Sequence, residues 1–189
     1  MKLGTLEFLQ ASEHPELLAS PVVKAFALIG DVATVVGVAA IDPTLSDTAA
    51  FCEKYQIGMG QAANCVVLEA KRPSAPGSNE PGEKFFAACV ILGSTRADIN
   101  SFAKRTLSAN KISFAPMEAA VAASGMEFGA ITPVGLPNNW PILVDRAVVD
   151  STQVIIGSGI RGSKLLVPGS FFATLPNVQI LEGLGLPKV

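Results

Sequence analysis

An α+β fold built on a mixed β-sheet is what this sequence predicts, and three observations lead there. Candidate strands outnumber candidate helices. Some neighbouring strands are close enough to form hairpins, while others are separated by helices. Of the 189 residues, 49% are apolar and 16% charged, enough for one sizeable core. We therefore expect a single domain over residues 1–189, with residues 1–31 as a helical N-terminal extension packed on it. No internal repeat divides the chain.

The elements follow in order. His14-Pro15 to Ile29 reads as helical, with Pro21 opening the run Val22 to Leu28 and Gly30-Asp31 ending it. Val32 to Ile41 is β-branched and apolar, which predicts a buried strand closed by Asp42-Pro43. Ser46 is placed to cap a helix running through Tyr55, with Asp47 in its first turn and Gly58 and Gly60 beyond its end. Asn64 to Ala70 and Phe85 to Leu92 read as two strands. The Pro-, Ser- and Gly-rich loop from Arg72 to Gly82 joins them, so they should pair antiparallel. Ala97 to Leu107 is patterned as an amphipathic helix and Lys111 to Ala115 as a short strand. Pro116 then opens a helix that Gly125 stops. Met126 to Pro141 is a long loop. Three strands come next, Ile142 to Asp145, Gln153 to Gly157 and Lys164 to Val167. A short helix from Ser170 to Leu175 and a last strand from Val178 to Leu181 complete the reading.

Composition removes several chemistries. A net charge of −2 excludes a strongly basic, histone-like binder of nucleic acid. The balance is uneven all the same. Residues 1–69 carry three basic against eight acidic side chains, −5, and residues 70–189 carry eleven against eight, +3. The longer part could face a polyanion, or the charge could be surface scatter. Three cysteines without a CxxC pair exclude a disulfide framework, and one histidine, His14, excludes any site that needs two imidazoles. No apolar leader follows Met1-Lys2. The apolar stretch Ala25 to Ile41 is short for a membrane span and holds Asp31, so it reads as a helix end and a strand. Unpaired cysteines without an export signal fit the reducing cytoplasm.

Three features could carry chemistry. Gly157-Ser158-Gly159-Ile160-Arg161-Gly162 spells GxGxxG, but a strand rather than a helix follows it, which is wrong for a dinucleotide site. It is either a turn that lets backbone approach a ligand or a plain hairpin turn. Cys52, Cys65 and Cys89 lie on apolar elements without a nearby base and read as packing residues. The long loop is stiffened by Pro133 and Pro137 and freed by Gly125, Gly129 and Gly135. Such a fixed path can aim N–H groups at one point, as an oxyanion hole requires, or be a structural Ω-loop.

On these residues the chain resembles the YbaK/EbsC family, aminoacyl-tRNA deacylases related to the editing domain of prolyl-tRNA synthetase. The family's GxxxP loop is matched by Gly129-Ala130-Ile131-Thr132-Pro133, its PxxxD strand by Pro141 to Asp145, and its glycine loop by Ser158 to Gly162. The likeness covers about three quarters of the chain, extending back to Ala62 and more weakly to Val32. One position departs. Asn64 stands where the best-known members carry a lysine, and an amide supplies hydrogen bonds but no charge.

The resemblance implies a mixed, partly barrel-like sheet flanked by helices, and hydrolysis of the ester of mischarged tRNA without metal, cofactor or covalent nucleophile. It implies catalytic roles for Gly129, Asn64 and Asp145, and substrate binding by Ile131, Thr132, Pro133, Ser158, Gly159 and Arg161. Asp145 reads equally as a strand-end cap for the helix opening at Arg146, and Asn64 as a turn residue bonding its own backbone. Lys71, Arg72 and Lys164 are then expected to meet tRNA. The expected partners are the 3′ end of an aminoacyl-tRNA, weakly held, and an aminoacyl-tRNA synthetase, with no membrane, in a monomer or homodimer. A pocket that binds aminoacyl-tRNA, amino acid or nucleotide without turnover, or an enzyme for another small ester or amide, remains open.

Overall fold

The computed structural model describes residues 1–45, 47–77 and 80–188, with the backbone alone of residues 31 and 32. Short strands β1 (Lys2–Leu3), β2 (Leu6–Glu7) and β3 (Leu9–Gln10) precede helix α1 (Ser20–Ile29), which has Pro21 in its first turn and Gly30 at its C-cap with φ +64°. The N-terminal segment is thus stranded as well as helical. Strand β4 (Gly37–Ala40) is shorter than the β-branched run predicts. Residues Gly30–Val35 coil into a 3₁₀ helix, and extended backbone begins where β3 and the later strand β11 (Ser163–Val167) offer ladder partners.

Helix α2 (Thr48–Tyr55) is capped by Asp47, whose carboxylate accepts from the Ala49 and Ala50 N–H groups. Ser46, the expected cap, lies outside the described residues. The helix ends on Gln56 in the left-handed region, before the glycines expected to stop it. Strands β5 (Ala63–Lys71) and β6 (Lys84–Leu92) form the expected hairpin over nine paired positions. The predicted helix over Ala97 to Leu107 is shorter and irregular. Thr95–Ala97 is strand β7, Asp98 caps a five-residue π turn, and α3 (Lys104–Thr106) is one turn long. The cause is distant in sequence, because β13 (Gly185–Pro187) pairs with β7 and draws its residues into a ladder.

Strand β8 (Lys111–Phe114) and helix α4 (Met117–Ser124), with Pro116 at its N-cap and Gly125 at its left-handed C-cap, agree with the sequence. After the long loop come β9 (Ile142–Asp145), α5 (Arg146–Val149), β10 (Val154–Gly157), β11, a 3₁₀ turn over Gly169–Thr174, and β12 (Val178–Leu181).

The larger sheet runs β12-β9-β6-β5-β8 and the second β10-β11-β4-β3. Pairs β6/β9 and β9/β12 are parallel and the others antiparallel, so the larger sheet is mixed. A parallel bridge between Ala62 and Ile155 joins the two sheets, and the largest core takes Val38, Leu165 and Val167 from one and Ala63, Val67 and Val90 from the other. The sheets pack around this core and two smaller clusters without closing a barrel. This α+β architecture leaves part of one β5 edge uncovered.

Candidate active site

The ladder around β5 positions the site. In an antiparallel pair, alternate residues turn both backbone polar groups to the same side. The Gly93 N–H donates to the Ala62 carbonyl (2.6 Å) and the Ala115 N–H to the Val67 carbonyl (3.0 Å). Even-numbered residues of β5 therefore face β6, and odd-numbered ones face away. Strand β8 covers that outer edge only from Leu68 to Lys71. The backbone of Cys65 and the N–H of Val67 are left along an edge that no described strand pairs.

A cavity of about 570 Å³ lies against this edge. It is bounded by Asn64 to Val67 on β5, Phe114 and Ala115 at the end of β8, Met117 and Ala120 on α4, Gly129 and Ile131 of the long loop, and Asp47, Thr48, Gly157 and Lys164. Phe114, Met117 and Phe128 line it while being more than half exposed, which makes them an apolar rim.

The long loop is held against the cavity by its own backbone. Gly129 has φ +81°, a conformation that favours glycine. The Gly159 N–H donates to the Ala130 carbonyl (2.9 Å) and the Glu127 N–H to the Gly159 carbonyl (2.8 Å). Gly157 completes the seat, because a Cβ there would collide with the Ala130 carbonyl oxygen. The GxGxxG segment is thus a turn of the β10–β11 hairpin whose glycines admit a neighbouring loop.

The structure brings Asn64, Gly129, Ile131 and Lys164 to one cavity. Asn64 is half-buried, and its Oδ1 accepts from the Thr48 hydroxyl at 2.5 Å. That bond orients the amide and leaves its NH₂ donors without a partner among the described residues. Lys164 is buried rather than at the surface, with its ammonium 5.4 Å from the centre of the Phe51 ring.

The other expected site residues lie elsewhere. Asp145 is buried as the N-cap of α5, with Oδ1 accepting from Ala147 (2.9 Å) and Oδ2 from Gly185 (2.7 Å). Ser158 shares a hydrogen bond with Ser163 (2.6 Å) inside the hairpin turn. Gly159, at φ +86°, packs under Ala19. The Arg161 N–H donates to the Glu127 carboxylate (2.6 Å), and its guanidinium donates to the Pro43 carbonyl (3.1 and 3.2 Å). Pro133 lines a second cavity, of about 310 Å³, with Pro21 and Leu136. Lys71 and Arg72 are at the far end of β5, with Arg72 over the Phe85 ring at 4.6 Å.

Thr132 is buried within the cavity loop, and its hydroxyl has no partner among the described residues. An unpartnered buried hydroxyl costs about 1–3 kcal/mol. Thr132→Val should therefore raise stability by about 1 kcal/mol, read as a higher denaturant midpoint at unchanged slope. A lower midpoint would show that the hydroxyl has a partner.

The cysteines do not supply a nucleophile at neutral pH. Burial pushes the Cys89 thiol up to about 12, and raises Cys65, on the cavity wall, still further. Cys52 is raised by burial as well. His14 bonds Glu16 (2.9 Å) away from the cavity. Among the described residues no three His, Cys, Asp or Glu side chains converge as metal ligands, and no helix is long and apolar enough to cross a membrane.

Sequence reasoning missed Asp47, Thr48 and the interior position of Lys164. The one signal was a lysine in the otherwise apolar run Lys164 to Val167.

A family model described as "Aminoacyl-tRNA editing domain" matches residues 42–173. Among solved structures, a proposed trans-editing enzyme for prolyl tRNA synthetase is 15% identical. The match covers 89% of this chain and 96% of that one, with a TM-score of 0.69. A hypothetical protein is 19% identical over 88% of this chain and 100% of its own, with a TM-score of 0.70. A proposed signal transduction protein from Marinobacter aquaeolei VT8 is 19% identical over 87% of this chain and 30% of its own, with a TM-score of 0.53. These likenesses concern the fold. No curated protein matches the sequence.

Proposed function

The chain belongs to the aminoacyl-tRNA editing domain family, and from that membership we propose that it hydrolyses the ester joining a wrong amino acid to tRNA. The observation that carries this reading is a cavity set between the open β5 edge and the Gly129 loop. Water adds through oxygen to the ester carbonyl carbon, the bond from that carbon to the ribose oxygen breaks, the ribose oxygen takes up one of the water's protons, and the other is released to solvent. The amino acid leaves as its carboxylate. An adjacent ribose hydroxyl or a second water can move the proton.

The protein's part is orientation and charge stabilisation. The N–H groups of Cys65 and Val67 face the cavity from a rigid strand, and one well-placed donor to a developing oxyanion is worth about 3–4 kcal/mol. The Asn64 amide adds a side-chain donor. The Gly129 loop, held by Gly157 and Gly159, closes the opposite wall. This chemistry needs no metal or cofactor.

The tRNA body is proposed to reach Lys71 and Arg72. Lys71 sits directly opposite Lys84 on one side and Lys111 on the other. Glu69 pairs with the Lys84 ammonium (3.0 Å), which leaves Lys71 and Lys111 as the opposed like charges that a phosphate would bridge. A cytoplasmic location follows from the substrate.

The absence of a lysine at Asn64 favours, as a second reading, a pocket that binds without turnover. Release of amino acid from a panel of mischarged tRNAs separates the two. We expect release from at least one tRNA, slowed about 10-fold by Asn64→Ala, the loss of one substrate hydrogen bond. Binding without release from any tRNA would overturn the hydrolase reading.

A further inference from the structure

We propose that the Lys164 ammonium is the charged anchor of the cavity and hydrogen-bonds the carbonyl oxygen of the aminoacyl ester, bringing from β11 the positive charge that position 64 lacks. This inference rests on the editing reading.

Lys164 is 8% exposed and lines the cavity. Its neighbours across the ladder are Gly157 and Ala39, both small, so its stem has room between β10 and β4. The ammonium comes within 5.4 Å of the Phe51 ring centre. Burying a cation is costly unless it is paired. Among the described residues no carboxylate lies within ion-pair distance of it. The charged and titratable groups that face it are Asp47 and Cys52. The Asp47 carboxylate is engaged in capping α2, and the Cys52 thiol is held neutral by burial. Burial also lowers the lysine's own pKa, the direction expected for an ammonium with no anion against it.

An unpaired cation on a cavity wall wants an acceptor from the ligand. An aminoacyl ester offers its carbonyl oxygen, which gains negative charge as water adds, so the interaction strengthens toward the transition state. The substrate's own α-ammonium is repelled by Lys164, and Asp47, which also faces the lysine, is the opposite charge on the cavity wall.

The test uses the full chain and three variants. Lys164→Met keeps an unbranched apolar stem, so the fold should survive with an unchanged or higher melting temperature. Its release of amino acid from the best mischarged tRNA should fall about 30-fold, as expected for a lost charge-assisted hydrogen bond. Adding Asn64→Lys to Lys164→Met should restore about 10-fold by returning a charge to the same cavity from β5, while Asn64→Gln in that background should not. A Lys164→Met rate within about twofold of the unmodified chain overturns the proposal, and so does a loss confined to acidic amino acids, which would place the lysine on the side chain rather than the ester. A parallel binding measurement uses adenosine carrying an aminoacyl group in a stable 3′-amide linkage. If the unmodified chain releases no amino acid from any tRNA, the editing reading fails, and this measurement still decides the role of Lys164. Binding weakened about 10-fold by Lys164→Met supports it. Unchanged binding, or none by the unmodified chain, overturns it.

Discussion

Gly129→Ala is expected to lower the deacylation rate about 100-fold while leaving the protein folded, since misplacing a positioned reacting group by about 1 Å costs that much. Gly129 sits at φ +81° in the loop that forms one cavity wall. An L-residue there carries a strain of about 1–2 kcal/mol, which the loop relieves by shifting its backbone. The next residue, Ala130, is tied to the Gly159 N–H and lies on Gly157, so any shift falls on the segment facing the cavity. Single-turnover deacylation read beside urea unfolding distinguishes the outcomes. A rate that falls far more than stability places the loop in the mechanism, and full activity removes it.

Asp145→Ala should show the opposite pattern, a loss of about 2–4 kcal/mol of stability with turnover per folded molecule unchanged. One carboxylate oxygen caps α5 at Ala147, and the other accepts from the Gly185 N–H at the start of β13. The residue is buried, so truncation leaves two backbone donors without their acceptor. The cap is worth about 1 kcal/mol and the stranded N–H about 1–3 kcal/mol. Asp145→Asn, which retains one acceptor, should lose less. A variant that melts normally but turns over slowly would return Asp145 to the catalytic set that the family resemblance suggested.

The two residues illustrate different kinds of legibility. The density of glycine and proline in residues 126–141 marked the loop as a fixed path, and its glycine at φ +81° lines the cavity. Asp145 read both as a substrate-orienting carboxylate and as the cap of the helix at Arg146, and its carboxylate takes the cap and also reaches a strand forty residues further along the chain. A motif match carries position along a strand. The helix cap is a local competitor that the sequence offers, whereas the Gly185 N–H is a distant one that it does not.

Elements whose causes are local were legible in the amino-acid order. Helix α4 lies between Pro116 and Gly125 because one suits a helix start and the other a left-handed cap. The β5–β6 hairpin follows from two apolar runs and the turn-rich loop between them. Asn64 stood out as an amide opening an apolar strand, and it lines the cavity. The remaining features depend on contacts between distant segments. Strand β7 exists because β13, about ninety residues away, pairs with it. The uncovered edge at Cys65 and Val67 exists because β8 stops at Phe114. Lys164 is an interior cation rather than a surface contact because Ala39, Phe51 and Gly157, from three other elements, surround it. The physical reason is common to all three. Caps and periodicity act over a few residues, whereas ladder partners and the desolvation of a charge depend on which distant segments the fold packs together.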